Sequence, residues 1–138
     1  MTATYVAFFA AMIFGWLKGG HPERLAVAVL LLTEPVISNP LVHWRIDDIY
    51  LDSTIEDALR SLFLGWLAFR SDRWWPYVAT AAMALTVLVH ILTVVTDISW
   101  DAAVSARVGL ALLMYVTLLA GVAERWMAGE APVCRIGP

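Results

Sequence analysis

From Trp74 to Thr96 the chain carries no formal charge and is interrupted only by His90. A membrane-crossing helix needs about 20 mostly apolar residues, and this segment meets that demand by itself. Two further blocks resemble it: Met1 to Leu17, ending at Lys18-Gly19-Gly20, and Ala102 to Ala123, with Arg107 near its start. Composition points the same way, with 61% hydrophobic and 15% charged residues, against about 45–50% and about 25% in an average soluble domain. A disordered chain and an ordinary soluble enzyme domain are therefore excluded. One cysteine, Cys134, makes no internal disulfide, and a net charge of −3 offers no basic footprint for nucleic acid.

The reading is an all-α integral membrane bundle of five transmembrane helices over residues 1–126, with a short tail at 127–138. The helices are expected near 1–18, 23–43, 53–70, 74–96 and 101–126. No basic residue precedes the first block and Trp16-Leu17-Lys18 is no cleavage site, so it reads as mature structure rather than a signal peptide. In the second, Pro22 suits a first turn, and Glu34-Pro35 and Asn39-Pro40 predict a kink or an early end. The third opens on a capping-box pattern, Ser53-Thr54-Ile55-Glu56, and contains Arg60, so it either spans the bilayer or lies along its surface.

Loop charge separates these options. Lys18 and Arg24, Arg70 and Arg73, and Arg125 and Arg135 mark alternate connections, whereas Arg45 faces Asp47, Asp48 and Asp52. The connection Thr96 to Asp101 has no basic residue. Five crossings satisfy this alternation with the N-terminus outside, the C-terminus cytoplasmic and the third helix spanning. All seven tryptophans fall near the expected helix ends: Trp16, Trp66, Trp74, Trp75 and Trp126 inside, Trp44 and Trp100 outside. Indole rings favour the headgroup level, so these read as interfacial anchors.

Ala3, Ala7, Ala11, Gly15 and Gly19 form a small-residue stripe, which serves either docking onto another subunit or packing within the chain. Glu34, Arg60, His90 and Arg107 form an intramembrane polar layer. Such groups face the bundle interior and mark function, or, for the arginines, snorkel to surface acids. Glu34 with Arg60 or Arg107 is the expected ion pair, with Asp57, Asp97 and Asp101 competing. His90 reads as a helix–helix hydrogen bond, a proton or ion carrier, or a ligand to haem or bacteriochlorophyll. The remaining histidines, His21 and His43, lie in connections, so no metal site is expected. The acidic run at Asp47, Asp48, Asp52, Glu56 and Asp57 lacks the spacing of a calcium loop and reads as capping and solvation.

At Trp16-Leu17-Lys18-Gly19-Gly20-His21-Pro22-Glu23-Arg24 and at Arg70-Ser71-Asp72-Arg73-Trp74-Trp75-Pro76 the chain resembles a group of small, uncharacterised multi-pass proteins of proteobacterial inner membranes. The resemblance implies several spans and a location in that membrane, and it brings no activity with it. No phosphate loop, nucleophile elbow or metalloprotease motif is present, so no enzyme activity is expected. The functional expectation is a non-catalytic accessory subunit in a larger respiratory or photosynthetic type of complex, in contact with lipid and with other membrane subunits. The alternatives are a small proton- or ion-coupled transporter built on the polar layer, and haem or bacteriochlorophyll binding through His90.

Overall fold

The computed structural model describes residues 2–37, 45–46 and 49–130, with side chains over 4–33 and 53–130. Among them are five α-helices and one minimal strand pair. α1 (Thr2–Lys18) and α2 (His21–Ile37) lead to β1 (Arg45–Ile46) and β2 (Ile49–Tyr50), followed by α3 (Leu51–Arg70), α4 (Trp75–Val95) and α5 (Trp100–Met127). The strands run antiparallel, Arg45 against Tyr50 and Ile46 against Ile49. Periodicity gave no sign of this hairpin.

Local chemistry explains the helix ends. Gly20 caps α2, and Glu23, three residues on, reaches back to accept the Gly20 N–H at 2.8 Å, which is one half of a capping box. Pro76 occupies the first turn of α4, where a missing N–H costs nothing. Ser99 caps α5 by accepting from Ala102 N–H at 3.4 Å, and Gly129, at φ 69°, turns the chain back after the last turn. α2 ends at Ile37, shortly past Pro35, while the rest of the expected span to residue 43 lies outside the described residues. α3 begins at Leu51, so Ser53 is not its cap. Glu56 sits a full turn inside the helix, buried against Arg60.

Around the bundle α3, α4, α5, α1 and α2 follow in order, and α2 also meets α3, closing the ring. The core centres on Ala11, Val27, Leu64, Trp75, Met83 and Leu118. Gly15 lets α1 approach α2 and α5 closely. A methyl group there would lie 2.7 Å from Val27 and 3.8 Å from Leu118. On α5, Gly121 leaves the space filled by the Trp75 ring. Phe8 meets Tyr115 edge to face at 5.5 Å, joining α1 to α5.

α4 and α5 are long and apolar enough to cross a membrane; α1 is apolar over Thr4–Lys18 but shorter, and the described residues of α2 and α3 do not reach that measure. Only 28% and 33% of the apolar stretches of α4 and α5 are buried. An all-apolar helix in a water-soluble fold is normally buried all round. Large hydrophobic side chains face outward on every helix, among them Phe9, Leu32, Leu62, Phe69, Val95 and Val116.

Candidate functional site

Polar side chains collect inside the bundle near the end where α3 begins and α4 finishes. Arg60 is at mid-helix on α3 and 9% exposed. Its Nε donates to Thr33 Oγ1 of α2 at 2.9 Å, one terminal nitrogen pairs with Glu56 a turn earlier, and the other lies 3.9 Å from Asp57. Asp57 also reaches across to α4, where His90 Nε2 is 3.0 Å from its Oδ2. Two charge-assisted hydrogen bonds thereby tie α3 to α2 and to α4, and such bonds are stronger than neutral ones. Thr33 in turn donates to Val29 O at 3.0 Å.

An open cleft of about 280 Å³ reaches this chain, walled by α3, α4 and α5 and touched by Thr4 of α1. Asp57, Arg60, Thr86, His90, Arg107 and Tyr115 supply its polar lining, and Met83, Val108 and Met114 part of its apolar wall. Arg107 holds its guanidinium over the Trp100 ring, 5.2 Å from the centroid, a cation–π contact.

Of the sequence-derived polar layer, Arg60, His90 and Arg107 line one cleft. Arg60 pairs with Glu56 on its own helix, because a four-residue step places the two on one face; the expected pairing of Glu34 with either arginine falls outside what the described residues show. The side chain of Glu34 lies outside the described residues. Asp57, expected as a competing partner for the arginines, lies 3.9 Å from Arg60 and also meets His90. Ligation of haem or bacteriochlorophyll by His90 through Nε2 requires that nitrogen to leave Asp57. Among the described residues no group of three or more His, Cys, Asp or Glu could hold a metal ion.

The small-residue stripe faces the chain's own interior: Ala11, Gly15 and Gly19 are buried and Ala7 is half-buried, whereas the Ala3 side chain is outside the described residues. Trp16, Trp66, Trp74, Trp100 and Trp126 are all exposed; Trp44 lies outside the described residues. Trp75 departs from the anchor expectation. It is 1% exposed and donates from Nε1 to Glu23 Oε1 at 2.9 Å, while its neighbour Trp74 points outward and donates to Glu124.

Glu23 was missed as a buried group. It is fully buried at the opposite end of the bundle, with both oxygens engaged by Gly20 and Trp75. Its signal was the Gly20-His21-Pro22-Glu23 spacing of a cap. Beyond α5, Glu130 Oε2 pairs with Arg73 and lies 3.4 Å from Arg125. The Arg73 hydrogen bond holds the Glu130 carboxyl below its ordinary range and, reciprocally, raises the Arg73 guanidinium.

Comparison of the chain with known protein families, with curated proteins and with solved structures returns no match.

Proposed function

We propose that the chain is a small multi-pass protein of a bacterial inner membrane, crossed by all five helices, whose cleft moves protons or small ions by way of Asp57 and His90. The observation that carries this reading is the inversion of α3. Ile55, Leu59, Leu62, Trp66 and Phe69 form its outward stripe at 54, 58, 71, 49 and 87% exposure, while Glu56 and Arg60 on the other face are buried. Water favours the reverse arrangement and lipid favours this one. Lys18, Arg70, Arg73 and Arg125 gather at the end of the bundle where α4 begins, and Asp97 and Asp101 at the other. That distribution supports a cytoplasmic C-terminus and an external N-terminus.

In this reading the cleft admits water to His90, since about 280 Å³ holds on the order of nine waters at liquid density. A proton taken by the imidazole strengthens its contact with Asp57, and release lets that carboxylate turn toward Arg60, 3.9 Å away. Glu56 and Thr33 keep Arg60 in place meanwhile. The proposal contains no catalytic step. An accessory role in a larger complex has less support, because Ala11, Gly15 and Gly19 of the stripe offered for docking are buried within the same chain, Gly15 against α2 and α5.

The test is proton entry into vesicles that contain the purified protein and a pH-sensitive dye, driven by an imposed potential. The wild type is expected to exceed empty vesicles, and Asp57→Asn and His90→Gln to fall to the empty-vesicle rate. Wild-type rates in both variants dispose of the mechanism.

A further inference from the structure

Opposite the polar cleft, a second opening of about 540 Å³ is bounded by the start of α2, the end of α3 and Arg125 of α5. We propose that it binds the phosphate headgroup of an anionic phospholipid, an inference that rests on the membrane reading above. Its lining pairs cations with an apolar wall: Arg70, Arg73 and Arg125 beside Leu25, Trp66 and Leu67. Leu25 and Trp66 are 42 and 49% exposed and continue onto the outward apolar surface, where acyl chains would lie. Basic clefts between helices on the cytoplasmic side suit anionic headgroups in this way.

The structure already contains an anion between two of these arginines. Glu130, brought back by the turn at Gly129, offers one carboxylate oxygen to both Arg73 and Arg125. Its side chain is 39% exposed, so an incoming phosphate can displace it. Arg70 is held differently, stacked 5.5 Å from the Trp66 ring centroid, with no carboxylate partner among the described residues. Asp72 also lines the opening, and Glu23 and Glu124 act on Arg73 along with Glu130, so Arg70 is the cation there with the least carboxylate around it among the described residues. Glu130 therefore acts as a built-in competitor, and removing its charge strengthens lipid binding.

The experiment is native mass spectrometry of the detergent-purified protein, titrated with dioleoyl phosphatidylglycerol or dioleoyl phosphatidylcholine, with and without inorganic phosphate. At about 1 kcal/mol per arginine near an anionic lipid, phosphatidylglycerol is expected to bind about fivefold tighter than phosphatidylcholine. Arg70→Gln should abolish that preference, and Glu130→Gln should raise it about fivefold further. Equal binding of both lipids by the wild type, or a preference unmoved by either variant, overturns the proposal. Inorganic phosphate that binds and displaces the lipid at comparable concentration assigns the site to a soluble anion and also overturns it. Failure of the membrane reading looks different: the protein then remains in solution without detergent or lipid.

Discussion

Glu23 and Glu130 are two carboxylates at the same end of the bundle in opposite circumstances. Glu23 has no contact with solvent and is served by two fixed donors, the Gly20 N–H and the Trp75 indole. An unpaired charge in that position would carry a penalty of several kcal/mol. Glu130 is open to solvent and responds to pH. Its carboxyl is depressed below the ordinary value of 4.5 by the Arg73 hydrogen bond, so the contact is fully made above that value and is lost as the pH falls through the lowered one. A carbon-13 titration of glutamate-labelled protein in micelles should give a Glu130 midpoint below 4.5, rising toward the ordinary value in Arg73→Gln. A midpoint equal in both proteins would show that Arg73 does not hold this group. Sequence could not separate Trp74 from Trp75, since both sit at a helix start in the same apolar setting. Which one turns inward depends on the space left by Gly121, more than forty residues away.

At the scale of elements, α1, α4 and α5 coincide with the three long apolar runs, because little in a run of that polarity competes with backbone hydrogen bonding. The start of α3 was misread at Ser53, where the capping pattern was real in composition but Glu56 served Arg60 instead. Helix contacts were less legible, since a small residue announces close approach without naming the neighbour. Two glycines on α5 make the point testable. A methyl at Gly121 collides with the Trp75 ring, whereas nothing lies within 4 Å of one at Gly109. Gly121→Ala should cost about 1–3 kcal/mol through overpacking. Gly109→Ala should gain about 0.5–1 kcal/mol from helix propensity alone. Thermal unfolding in detergent reads both, and equal midpoints for the two variants would refute the α4–α5 packing described.

For the whole molecule, the apolar exterior and ionic interior follow from one circumstance: the helices form a closed ring whose polar faces meet inside it. Arg60, His90 and Arg107 were legible as members of one layer from helix rise alone. Asp57 was named only as a competing partner for the arginines, and its reach to His90 was not legible, because helix rotation fixes it and depth does not. Under the proposed membrane reading, the inversion of α3 also has a consequence for biosynthesis. Arg60 at a helix centre opposes membrane insertion by about 2.5–3.5 kcal/mol, roughly what several leucines at about 0.5 kcal/mol each return. α3 therefore has little tendency to leave the translocation channel on its own, and Asp57 meets its cross-helix partner only when α4 arrives with His90. A phosphatase reporter, active only outside the cytoplasm, should work when fused after Arg70 in a chain stopped there and fall silent after Met127 in the longer one. Silence at both points would mean that α3 inserts unaided. On this account α3 and α4 enter the lipid as one hairpin, and the order of synthesis becomes part of how the ionic centre is assembled.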